Sequence, residues 1–264
     1  MDIPPQSRVA ILIDGSNFYK NLENLGFEDL HLFDYDRFVD YLTKGREIVA
    51  KLYYKGVISK EVGSTKSEHM VASQQRLFAR LISSGWEIKR GRMLKNPRIE
   101  TAAGFFLQEG RSEEAMERDR AELILRLCNT YRPVIVLDQS SPLRQVLKIY
   151  RQGMPFVPFD RLQIVTSVWK EKGIDVKIAL DIVDFAYSGR CGTIILVSND
   201  SDLSPAIDKV GEINKSRHEN RRVFIEYIGF QDAYSISLLQ RCDAKTLLSK
   251  TEITPFLASQ QRIL

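Results

Sequence analysis

The sequence predicts an α/β fold: a mainly parallel sheet flanked by helices, with a mostly helical insertion. Three observations carry that expectation. Short apolar runs alternate with longer segments of helical periodicity over residues 7–93 and again over 162–248, and a strand–crossover–strand rhythm favours parallel pairing with helices on the sheet faces. Two apolar runs far apart in sequence end in aspartates: Val9-Ala10-Ile11-Leu12-Ile13 enters Asp14-Gly15-Ser16-Asn17, and Thr193-Ile194-Ile195-Leu196-Val197 enters Ser198-Asn199-Asp200-Ser201-Asp202. Between residues 94 and 161 the alternation stops.

In chain order, the first strand over residues 9–13 gives way to a helix at 16–25, entered through small polar capping residues, and a second helix at 34–42. Residues 47–54, rich in Val, Ile and Tyr, read as a strand. Met70, Leu77, Phe78 and Leu81 share helical spacing within 67–82, ended by Gly85, before a strand at 86–90. In the insertion, 111–129 reads as a helix, 133–138 as a short strand, 141 onward as a helix with Pro142 in its first turn, and 154–159 as a loop. A strand at 162–169, a helix from 175 to about 187, a strand at 193–197, a helix at 203–214, a strand at 222–228 and a short helix at 235–241 follow, with 249–264 a tail.

Composition narrows the function classes. No run of about 18 apolar residues marks a membrane span, and the first five residues lack the basic and apolar regions of a signal peptide. The three cysteines, Cys128, Cys191 and Cys242, share no close spacing, which argues against a disulfide framework or a zinc site and for a reduced, cytoplasmic protein. The net charge of +4 is modest, so local concentration matters more. Lys89, Arg90, Arg92, Lys95 and Arg98 place five cations within ten residues without an acid, and Lys215, Arg217, Arg221 and Arg222 form a second cluster. Such patches attract phosphates by counterion release, although each also reads as a solvated face.

Carboxylates carry the chemistry. Parallel strands present their carboxyl ends at one crevice, where acids from distant segments converge. Asp14 and Asp200 occupy such ends, with Asp202 two residues on; each also reads as a helix cap. Gathered carboxylates repel one another unless a cation lies between them. Asp175 opens a helix after Lys172-Gly173 and supplies a third corner. On that helix Asp181 lies roughly 240° and Asp184 roughly 180° around the axis, so Asp181 is a second-tier candidate and Asp184 a third. Asn17 stands one turn beyond Asp14, where its amide orients the carboxylate. An all-oxygen donor set suits magnesium or manganese. Lys172, Ser198 and Ser16 are candidates for substrate phosphate, joined by Arg90, Arg92, Lys95 and Arg98, while Tyr53, Tyr54 and Lys55 could stack on a base and hold its backbone, the tyrosine pair also reading as internal packing. His31, His69 and His218 share no motif with a serine or cysteine nucleophile.

The segments 11–17, 171–181 and 196–203, in that order, resemble the three signature segments of the NYN domain family, a branch of the PIN-like nucleases. The resemblance covers residues 7–93 and 162–248 and does not account for 94–161. It implies a Rossmann-like sheet and a metal-dependent endoribonuclease in which Asp14, Asp175 and Asp200 are the principal acids, Asp202 the fourth and Asn17 a supporting group, with RNA as partner. Asn199 departs from the glycine found in many relatives. A haloacid dehalogenase type phosphatase would want a second acid at Ser16, and a dinucleotide fold would want a glycine-rich turn after the first strand. The alternative that stays open is a PIN-like scaffold, weak or inactive in turnover, that binds RNA or a protein. The insertion offers a route to self-association or to a protein partner.

Overall fold

The computed structural model describes residues 8–27, 33–58, 65–101, 107, 110–119, 122–123, 135–137 and 162–257, with the backbone alone described over 65–67, 95–101, 135–137 and 162–169 and at 117 and 220. The elements in chain order are β1 (Arg8–Asp14), α1 (Gly15–Asn24), α2 (Tyr35–Thr43), β2 (Glu47–Val57), α3 (Thr65–Ser83), β3 (Glu87–Thr101), α4 (Glu113–Arg118), β4 (Ile135–Leu137), β5 (Leu162–Lys172), α5 (Ile174–Ser188), β6 (Thr193–Val197), α6 (Ser204–Lys215), β7 (Phe224–Phe230), α7 (Ile236–Arg241), β8 (Ala244–Leu248) and α8 (Lys250–Ile253). The chain divides into two compact units, Met1–Met93 with Glu171–Leu264, and Leu94–Lys170.

In the first unit the strands lie in the order β3-β2-β1-β6-β7-β8, every neighbouring pair parallel. β1 and β6 sit centrally and are buried from Val9 to Asp14 and from Thr193 to Val197, which is why their sequences are continuous apolar runs rather than alternating ones. The pleat still sorts their side chains. Val9, Ile11 and Ile13 join Phe18, Phe38, Phe78 and Leu81 from α1, α2 and α3 on one face. Ala10 and Leu12 join Ile178, Ile182, Ile207 and Val210 from α5 and α6 on the other. The result is an α/β arrangement with a mainly parallel sheet between helical layers, as the alternation predicts.

Several boundaries differ from expectation. β3 continues past Arg90 to Thr101, and β5 continues past Trp169 to Lys172. Gly91 within β3 has a packing reason: a Cβ there would stand 2.8 Å from the Ile174 side chain. Residues 249–264, expected as a tail, begin with α8, capped by Ser249 and Glu252 in a reciprocal capping box. α8 and the turn after it bury Ile253 and Phe256, the latter ring 5.3 Å from Phe38.

In the second unit, α4 is capped by Ser112, and β4 pairs antiparallel with β5. The expected helix at 111–129 is described as α4 and at 122–123, whereas the helix from 141 and the loop at 154–159 lie outside the described residues. Among the described residues no helix is long and apolar enough to cross a membrane.

Candidate functional site

β1 and β6 run in register, with Ile13 opposite Val197, so the next residues on each strand, Asp14 and Ser198, emerge side by side about 4.8 Å apart. Asp14 caps α1. Its Oδ1 accepts from the Ser16 and Asn17 amides at 3.1 Å each, and its Oδ2 accepts from the Asn17 side-chain amide at 2.5 Å and the Ser198 hydroxyl at 3.3 Å. Those four contacts account for the carboxylate's lone-pair directions. Ser198, buried, also accepts from the Asp200 amide at 3.1 Å, so one hydroxyl ties the ends of β1 and β6 together. Asp200 in turn caps the short 3-10 turn Ser201–Leu203 by accepting from the Asp202 amide at 2.9 Å. The capping and the clustering therefore both hold for Asp14 and Asp200.

Asp175 arrives from the helical layer. Gly173 adopts a left-handed φ of 80° that turns the chain sharply from β5 into α5, and Asp175 is the second residue of that helix. A cavity of about 210 Å³ brings Asp14, Asp175 and Asp200 together with Glu171, while Ser16, Asn17 and Lys20 form its α1 side and Ile174 an apolar wall. Burial of the carboxyl, followed by the charges of Asp200, Asp14, Glu171 and Asp202, pushes the Asp175 pKa up to about 6. Although Asp175 is exposed as a residue, its carboxyl thus sits in a crowded negative field. Among the described residues, no three acid, histidine or cysteine groups already converge on a single metal position.

Several expected site residues stand elsewhere. Asp202 is exposed and does not line the cavity, though its charge still reaches Asp175. Asp181 accepts from the Tyr54 hydroxyl at 2.8 Å and lies 3.7 Å from the Lys89 amine, in a different cavity bounded by β2 and β3, because its position on α5 turns it away from Asp175. Lys172 is exposed outside the cavity lining. Arg90 and Arg92 are exposed on β3, Arg90 with its guanidinium 5.7 Å from the Phe78 ring centroid. The side chains of Lys95 and Arg98 lie outside the described residues. Tyr53 and Tyr54 are fully buried, Tyr53 against Tyr35 with hydroxyls 3.3 Å apart, so neither offers a face to a base.

Two charged groups lining the cavity, Glu171 and Lys20, escaped sequence reasoning, and a third, Lys55, expected to hold a nucleic-acid backbone, stands near it. Glu171 lies four residues before Asp175 across the Gly173 turn, and its carboxylate accepts from the Gly56 amide. Lys20 follows Asn17 by three residues on α1, a spacing that puts both on one face. Lys55, two residues before the end of β2, has its amine 3.4 Å from the Gly15 carbonyl; burial lowers its pKa, and the charges of Glu171, Asp14 and Glu23 oppose that shift. Asn199 donates to Asn21 Oδ1 at 3.3 Å and anchors the β6 turn to α1, a use of the side chain that glycine could not supply.

The sequence model of the NYN domain family matches residues 117–244, consistent with the resemblance of the Asp175 and Asp200 segments. The matched span begins after the Asp14 segment, and it includes part of the region between 94 and 161 that the signature segments do not cover. A protein of unknown function from Vibrio parahaemolyticus, known from its crystal structure, is similar at 17% identity over 95% of this chain and 98% of its own, with a TM-score of 0.46. No curated protein matches the sequence.

Proposed function

We propose, on the similarity of residues 117–244 to the NYN domain, that the chain is a divalent-metal-dependent endoribonuclease hydrolysing RNA phosphodiester bonds at the cavity between the carboxyl ends of β1 and β6 and the start of α5. Its main support is Asp175: a carboxyl raised to about 6 by burial and by Asp200, Asp14 and Glu171 is a group whose charge wants a cation beside it. The donor set fits magnesium or manganese in kind, being oxygen throughout. Asp14, Asp175 and Asp200 would hold the ion, with Glu171 and the more distant Asp202 deepening the negative field. A bound ion would polarise the phosphodiester and supply hydroxide at neutral pH. The chain's own groups do the positioning. Asn17 and Ser198 hold Asp14 at the strand end, Lys20 and the Ser16 hydroxyl stand beside the cavity to meet phosphate oxygens, and Ile174 limits water on one wall. Arg90, Arg92, Lys95, Arg98 and Lys172 would attract the RNA backbone. The proposal includes work in the cytoplasm, in keeping with free, buried Cys191 and Cys242, and contact with a second copy or a protein partner through residues 94–161.

One observation favours a second reading, a scaffold that binds RNA without cutting it: Asp14 already spends its acceptors on four protein donors, so it must release one to ligate an ion. Labelled single-stranded and structured RNAs incubated with magnesium, manganese or chelator separate the two. We expect metal-dependent internal cuts that chelator abolishes and that Asp175→Asn and Asp200→Asn each reduce about a hundredfold or more. RNA bound but left intact under every metal condition would establish the scaffold reading instead.

A further inference from the structure

At the opposite, amino ends of the strands another cavity, of about 570 Å³, opens beside the first residue of β1, the end of α5 and the loop from α6 to β7. Arg8, Arg217, His218, Arg221 and Arg222 line it, and no carboxylate is among the described lining residues. Arg217 builds the wall: its guanidinium donates to the Arg221 carbonyl at 3.0 Å and to the Tyr187 carbonyl at 2.7 Å, fastening the loop to the end of α5. Arg8, His218, Arg221 and Arg222 remain exposed.

The bland account is that these cations answer the negative ends of α5 and α6. Two helix carboxyl termini amount to roughly one negative charge in total. Four guanidiniums exceed that by about three, and gathered like charges repel unless an anion joins them. Guanidinium forks match phosphate oxygens in bidentate geometry, and the cavity volume lies in the range of small-ligand sites. Because Arg8 opens the strand that Asp14 closes, about 20 Å of strand separates this cavity from the carboxylates. A phosphate held here is therefore not the one exposed to the acid cluster.

We propose that the cavity lined by Arg8, Arg217, His218, Arg221 and Arg222 is a second, anion-binding site that takes a phosphate-bearing ligand of nucleotide size. Its ligand is either a free nucleotide or the terminal phosphate of a nucleic acid, and the two sources share the recognised group. The site stands independently of the cleavage chemistry proposed above.

Isothermal titration of the full chain with sodium pyrophosphate, in chelator, tests it. One saturable site is expected, weakened about tenfold or more by the double variant Arg8→Gln with Arg222→Gln and unchanged by Asp14→Asn. Both exchanged arginines are exposed, and Arg217 is left to hold the loop. Circular dichroism checks the fold, and Arg221→Gln repeats the comparison should the double variant unfold. Displacement of pyrophosphate by a ribo-oligonucleotide bearing a terminal phosphate, but not by its hydroxyl counterpart, assigns the site to nucleic-acid ends; displacement by ADP alone assigns it to a free nucleotide. Absence of saturable pyrophosphate binding, or binding indifferent to the arginine exchanges, overturns the proposal.

Discussion

Ser198 is the smallest group on which the carboxylate cavity depends. Its hydroxyl donates to Asp14 and accepts from the Asp200 amide, so Ser198→Ala removes one of the four donors to the buried Asp14 carboxylate and the side-chain acceptor of the part-buried Asp200 amide. The expected cost is about 1–3 kcal/mol in urea unfolding, with RNA cleavage slowed roughly tenfold as the two strand ends lose their common anchor; a variant equal to wild type in both would show the bridge to be idle. Asp175 makes a pH prediction. Its folded pKa of about 6 lies above the ordinary 3.8, so between those values the folded chain binds the proton more readily than the unfolded chain. That contribution is fully present below pH ~4 and is lost as pH rises through about 6. In chelator, Asp175→Asn should therefore melt above wild type near pH ~8 and level with it near pH ~4, and magnesium should close the gap at the higher pH. Melting curves at the two pH values check the sign. Asp14, Asp175 and Asp200 were legible in the sequence because each follows an apolar strand or a glycine turn. Lys20 and Glu171 were not, since a helix lysine and a glutamate before a turn read like any solvated pair until the fold closes a cavity around them.

Among the elements, α8 and its following turn depart furthest from what their sequence suggests. Nine residues, 249–257, have too little length for a convincing periodicity, yet Ile253 and Phe256 complete an aromatic cluster in which Phe256 meets Phe33, Phe38 and Tyr41. Phe256→Ala should cost about 3 kcal/mol or more through the cavity it leaves, measurable as a lowered urea midpoint; a change within about 0.5 kcal/mol would mean the turn is not part of the cooperative unit. β3 and β5 outran their expected ends for a related reason. Arg90 and Arg92 break the apolar signal of β3, and Lys170 and Lys172 that of β5, whereas backbone pairing is indifferent to the charge of such exposed side chains. Gly91 looks like a strand breaker in sequence. In the structure it makes room for Ile174.

At the scale of the molecule, charge is segregated by strand direction: carboxylates gather where β1 and β6 end, and arginines where β1 begins. A net charge of +4 conceals this separation. If the β3 cations carry RNA, replacing Arg92, Lys95 and Arg98 with glutamine should weaken binding at low salt and flatten the dependence of log affinity on log salt by about two to three, one counterion per lost phosphate contact. An unchanged slope in titrations at two salt concentrations would move RNA away from β3.

The sequence by itself determined the class of fold and picked out three of the acids that line the cavity, Asp14, Asp175 and Asp200, because apolar periodicity and strand-end polarity are local properties that survive in any tertiary context. Tertiary structure alone decided which acids meet. Helix phase sends Asp181 to Tyr54 and keeps Asp175 at the cavity, register sets Ser198 beside Asp14, and packing of separate loops turns Arg8 and Arg222, 214 positions apart in sequence, into one basic cavity. These are consequences of side-chain direction and long-range closure, which spacing along the chain does not encode.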